Sequence, residues 1–181
     1  GMVPYFCAMF DHFYAQGGNC IDTAYVYGTE ATVGEGLRTQ GLRDQVVLIG
    51  KGAHTPFCTP KGLTDQLYQT LDRLQTDYLD LYQIHGWDSN TPLEETVRTM
   101  DDLVRQGKIL YWGVSCWDEH QIEEALRIAR EVADEGDGVL VRRGGVASVT
   151  ALWGATVDAV AVQIGDAVET GDVLVVLRPA G

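Results

Sequence analysis

Four titratable side chains stand where apolar runs give way to loops. Residues 19–28 (NCIDTAYVYG) carry an acid, Asp22, and a phenol, Tyr27, where the chain leaves a short strand. Residues 46–51 (VVLIGK) end on Lys51, and residues 78–85 (YLDLYQIH) end on His85. Together, an acid, a phenol, an ammonium and an imidazole suit proton transfer to a polar double bond. A free phenol is too weak an acid near neutrality, but a neighbouring ammonium stabilises the phenolate. A carboxylate in turn keeps the ammonium charged where solvation is poor. Each residue alone has an ordinary explanation: a solvated strand end for Lys51, a satisfied structural histidine for His85, a turn for Asp22-Thr23. Their common position at the carboxyl ends of successive strands is what counts, because parallel α/β barrels collect their sites there.

The elements that position them are legible from periodicity. Pro4 opens a helix over residues 4–16 with Phe6, Met9, Phe10 and Phe13 on one face, and Gly17-Gly18 ends it. In the strand that follows, Cys20, Ile21 and Ala24 are expected to be buried. Thr29 or Thr32 caps a second helix that stops at Gly41. Thr64 caps a third, with Leu67, Leu71 and Leu74 inward. Residues 91–94 (TPLE) give a capping box with proline at the first helical position of a fourth, which closes at Gly107. Residues 109–114 form the fourth strand, and Asp118 with Gln121 opens a fifth helix that ends near Gly136. Strand-helix units recurring about every thirty residues make a parallel sheet with strands in order.

Past Gly136 the period changes to two: short β-branched runs at 139–141, 146–150, 156–162 and 173–177 are separated by glycine. Two domains are expected, an α/β part over 1–135 and a small all-β tail over 136–181.

Composition narrows the function classes. The 181 residues are 45% hydrophobic, enough for a packed core, and the net charge is −13 with 13 basic against 26 acidic groups. No basic stripe exists for nucleic acid or an anionic membrane surface, and no apolar run approaches the roughly 20 residues of a membrane span. With no signal-peptide pattern in the opening residues, a cytoplasmic location is expected. Cys7, Cys20, Cys58 and Cys116 lack any C-x-x-C spacing, so buried reduced thiols are expected rather than disulfides or a metal site.

In combination, the segments DTAYVYG, IGKG, YQIHGWD and GKILYWGVS resemble the aldo-keto reductase family over residues 4–130. The resemblance implies a partial (β/α) TIM-type barrel of about four parallel strands, where a closed barrel has eight. It implies NADP(H)-dependent reduction of a small carbonyl substrate, with Tyr27 as proton donor, Lys51 as its tuner, Asp22 as the anchor of Lys51, and His85 orienting the substrate oxygen. Ser115 and Cys116 match the positions that hold the nicotinamide carboxamide. The family usually has asparagine where Cys116 stands, and a thiol is a weak donor and acceptor, so only Ser115 keeps that contact. Tyr25, Trp87 and Trp117 match positions that line the substrate pocket, although aromatic residues at strand ends also commonly cover the core. The family's adenosine and phosphate contacts lie largely on strands beyond these, so a truncated, weakly active or inactive reductase is expected.

Residues 162–177 (VQIGDAVETGDVLVVL) resemble the centre of a biotinyl or lipoyl carrier domain, half of which would span about 139–177. Such a domain needs an attachment lysine, but the only lysines are Lys51, Lys61 and Lys108, so no biotin or lipoate is expected. The alternatives are a non-catalytic scaffold on the barrel remnant and a degenerate carrier protein. An open sheet leaves two unpaired edges, so a homo-oligomer is expected.

Overall fold

Alternating apolar strands and amphipathic helices fold here into one parallel sheet covered on one face by helices. The computed structural model of the chain describes residues 2–135 and two further strands. The elements are α1 (Val3–Ala15), β1 (Cys20–Asp22), α2 (Glu30–Gln40), β2 (Val47–Gly52), α3 (Pro60–Leu74), β3 (Leu79–Ile84), α4 (Leu93–Arg105), β4 (Ile109–Val114) and α5 (Glu119–Glu135). The sheet order is β1-β2-β3-β4 and every pairing is parallel. Four strands alternating with helices are what a partial barrel of the TIM type requires.

The core lies between sheet and helices. Leu48, Tyr82, Ile84, Trp112 and Val114 from the strands meet Leu67, Leu71, Leu74, Met100 and Leu103 from α3 and α4, all at 5% exposure or less. Burying one such leucine contributes about 2 kcal/mol. Gly34 lets α2 approach the end of α3: a Cβ there would sit 2.5 Å from the Leu74 carbonyl carbon.

Helix boundaries depart from the sequence reading where side chains found other partners. Helix α3 begins at Pro60, with Thr59 Oγ1 accepting from the Gly62 amide at 3.2 Å, rather than at Thr64. The TPLE segment forms no capping box, because the Thr91 hydroxyl donates to Asp88 Oδ2 at 2.9 Å and Pro92 stands at the cap. The Asp118–Gln121 pair does close reciprocally, with both amide-to-side-chain bonds at 2.9 Å. On α1, Phe10 is buried but Met9 and Phe13 are 69% and 44% exposed. Helix α1 packs on α2 through the stripe Phe6, Phe10 and Tyr14, where Phe6 stacks on Phe10 at 5.7 Å and Tyr14 meets Phe10 tilted at 5.8 Å, and this turns Met9 outward. Cys20 is exposed, since strand alternation points it away from Ile21. All four cysteines are free, but only Cys58 is buried.

In the tail, β5 (Thr156–Val160) and β6 (Val175–Arg178) pair antiparallel. The runs expected at 139–141 and 146–150, and the turns of the carrier-like segment, lie outside the described residues. One strand pair does not support an all-β domain or a carrier fold. Among the described residues no helix is long and apolar enough to cross a membrane, and no group of three His, Cys, Asp or Glu could hold a metal ion.

Candidate active site

The carboxyl end of the sheet brings the acid, ammonium, phenol and imidazole into one contiguous group. Asp22 ends β1 with its side chain 53% exposed, and its Oδ1 accepts from the Lys51 ammonium. Lys51, near the end of β2, is 6% exposed, so its stem is buried and its charge is met by Asp22. From there Lys51 Nζ stands 5.3 Å from the ring centroid of Tyr27, within cation–π range. Tyr27 closes a 3-10 turn, Tyr25–Tyr27, which ends on Gly28 at φ 69°, a conformation glycine takes without penalty. Its ring meets His85 edge-on, centroids 5.8 Å apart, and is 52% exposed on its outer side.

His85 is fixed by its backbone: its amide donates to the carbonyls of Gly52 (2.7 Å) and Ala53 (3.0 Å) at the end of β2. Its Nδ1 is buried without a partner among the described residues. Burial first, then the charge of Lys51 and the neighbouring His54, hold its pKa below the ordinary histidine value against the opposing pull of Asp22. A neutral imidazole can donate a hydrogen bond to a carbonyl oxygen without giving up its proton.

The other sequence candidates fare differently. Ser115, 7% exposed just past β4, donates its amide to Ile84 O at 2.8 Å, which sets it beside His85 on the next strand. Its hydroxyl lies 3.5 Å from the Cys116 sulfur. Cys116 is exposed and has φ 61°, in the left-handed region. Trp87 and Trp117 pack edge-to-face at 4.7 Å and line a small recess with Cys58, Asp88 and Thr96. Trp117 Nε1 is buried there without a partner among the described residues.

Tyr25 does not join the group. Its ring lies under the Arg73 guanidinium at 4.2 Å and its hydroxyl donates to Gln69 Oε1 at 2.9 Å, so it faces α3 rather than a pocket. His54, which the sequence reading passed over, does join: its ring is 6.4 Å from His85 and 6.3 Å from Phe57. Its only signal was a histidine three residues after the strand-end lysine. What brings it round is Ala53 at φ 58°, buried, with its amide on Gln66 Oε1 at 2.8 Å.

The profile of the aldo/keto reductase family matches residues 4–137. The chain belongs to the aldo/keto reductase family. Norsolorinic acid reductase B of Dothistroma septosporum is 33% identical over 141 residues, covering 68% of this chain and 36% of that protein. Norsolorinic acid reductase A of Aspergillus parasiticus is 40% identical over 123 residues, covering 59% and 32%. The chain thus spans about a third of the length of the curated aldo/keto reductase relatives it matches. Among solved structures, a thermostable aldo-keto reductase in complex with the inhibitor epalrestat superposes with a TM-score of 0.66 at 34% identity, covering 72% of this chain and 48% of that one. An aldo-keto reductase from Klebsiella pneumoniae in complex with NADPH gives 0.61 at 36% identity, covering 78% and 47%.

Proposed function

We propose that this chain carries the catalytic half of an NADP(H)-dependent reductase of small carbonyl compounds. The carrying observation is the unbroken array Asp22–Lys51–Tyr27–His85. Tyr27 holds the proton destined for the carbonyl oxygen. Lys51 stabilises the phenolate left behind, and Asp22 balances the charge of the buried ammonium. His85, neutral and pinned to β2, orients the oxygen with a hydrogen bond. The neighbours solved with NADP or NADPH support that cofactor, which supplies the hydride when bound.

The residues present fit the nicotinamide end. The Ser115 hydroxyl lies 3.5 Å from the Cys116 thiol, and among the described residues His85 Nδ1 is buried without a partner. Ser115 would hold the carboxamide, whereas the Cys116 thiol replaces it poorly there. With that contact weakened and Tyr27 half exposed, the 181-residue chain by itself would reduce substrates slowly. For residues 136–181 we propose a structural β-element without attached biotin or lipoate, since that stretch contains no lysine.

The test is NADPH consumption with an aromatic aldehyde, comparing the chain with Tyr27→Phe and Lys51→Met. Loss of the proton donor should lower kcat by about a hundredfold or more. Turnover unaffected by Tyr27→Phe would overturn the assignment, and no turnover or NADPH binding by the unaltered chain would leave the scaffold reading in its place.

A further inference from the structure

The loop that carries Tyr27 is built as a closed unit. The hydroxyls of Thr23 and Thr29 meet at 3.2 Å across its base, and the Thr23 amide donates to Ile49 O at 2.9 Å. Between these points the chain makes a single 3-10 turn, which Tyr27 N opens by donating to Ala24 O at 3.0 Å. A lone three-residue turn does not fix itself when its last residue is half exposed. Something else must set where the Tyr27 ring points.

Tyr25 is the side chain of the turn that meets α3, and it is held there from several directions. The Arg73 guanidinium covers its ring at 4.2 Å and donates to its carbonyl at 3.4 Å. Gln69 Oε1 accepts from both the Tyr25 hydroxyl (2.9 Å) and Arg73 Nη2 (3.3 Å). Arg73 is itself oriented by Glu30, which is 1% exposed at the start of α2 and takes Arg73 Nη1 at 3.0 Å and the Thr70 hydroxyl at 2.8 Å. A buried carboxylate needs that many donors to offset its lost hydration. Glu30 thus makes Arg73 rigid, and Arg73 makes Tyr25 rigid.

We infer that Tyr25, Arg73 and Gln69 form a clamp from α3 that holds the Tyr27 turn in its reacting position, with Arg73 and Tyr25 as positioning residues. Tyr25 and Tyr27 stand at opposite ends of a three-residue turn, one facing α3 and the other Lys51 and His85. A hold on the first therefore fixes the second. Arginine is required because one planar group must stack on a ring, reach Glu30 and reach Gln69 at once, and a lysine ammonium cannot do all three. The consequence for catalysis rests on the proposed reductase function, but the clamp itself does not.

Arg73→Lys separates positioning from stability, since it keeps a charge for Glu30 while removing the stack and the fork. Tyr25→Leu removes the ring and the hydroxyl without touching Glu30. In both, amide hydrogen exchange at Tyr27 should quicken about tenfold relative to Tyr82 in the central strand, as expected for losing one stack and one hydrogen bond from a local opening. Tyr25→Phe, which keeps the stack, should recover most of the protection. In the reductase assay the same two variants should lower kcat with KM unchanged. Tyr27 exchange that is unaltered, or that rises only in step with Tyr82, would overturn the clamp. So would quickened exchange with undiminished kcat. An unaltered chain that reduces nothing would fail the function reading while the exchange measurement still decides the clamp.

Discussion

Cys116 occupies a backbone conformation that its side chain disfavours. At φ 61° its Cβ crowds the following carbonyl, which costs an L-residue about 1 kcal/mol, whereas asparagine is the non-glycine residue best tolerated there. The thiol gives nothing comparable in return: the residue is exposed and the thiol's approach to Ser115 Oγ, at 3.5 Å, is a weak hydrogen bond. Cys116→Asn should therefore stabilise the fold by about 0.5–1 kcal/mol, which moves a urea midpoint up by roughly 0.3–0.5 M. Cys116→Gly relieves the same crowding but frees the unfolded chain, so it should fall between cysteine and asparagine. Cys116→Val, β-branched, should lose about 1 kcal/mol or more. The assay is urea unfolding of all four chains in parallel. A valine variant as stable as the asparagine one would refute the backbone argument, because side-chain size at an exposed site would then be irrelevant. NADPH titration adds a second axis: asparagine should tighten binding by restoring an amide, and glycine should not.

Thiol labelling should follow environment: at pH 8 Cys116 alkylates first. Cys20, exposed but with its thiol pushed up by partial burial and by Asp22 and Asp80, lags behind it. Cys58, pushed up to about 11 by burial and by Asp88, should react only after unfolding, and peptide mass spectrometry showing it labelled in the native chain would count against the fold at that point. Because the folded state depresses His85 below its ordinary value, the unfolded chain binds the extra proton, so this group's contribution is present above pH 6.5 and is lost as pH falls through the folded pKa. The drop in urea midpoint from pH 7 to pH 5 should be smaller in His85→Gln, and an equal drop would show the imidazole to be irrelevant. Among the described residues β1 and β4 each pair on one side only, and Met2, which precedes α1, with Tyr5 and Met9 on it are 65%, 81% and 69% exposed. Self-association at micromolar concentration is the expected outcome, and a monodisperse monomer by light scattering would rule it out.

The sequence by itself fixed the order and type of the elements over residues 2–135, because apolar periods of 2 and 3.6 are local properties read directly from the chain. It also marked Asp22, Tyr27, Lys51 and His85, because in a parallel sheet every strand delivers its last side chains to the same end. What it left open were choices made between residues distant in sequence. Tyr25 and Tyr27 differ by two positions and look equivalent as text, yet Arg73 and Gln69 claim one for α3 and leave the other to Lys51 and His85. His54 reaches His85 only because the buried Ala53 takes a left-handed turn held by Gln66. Thr91 left its expected cap for Asp88, and Met9 turned outward because α2 offered a surface to one stripe of α1 alone. Each was decided by which partner removed more apolar area or satisfied more hydrogen bonds, and that comparison exists only once the chain has folded.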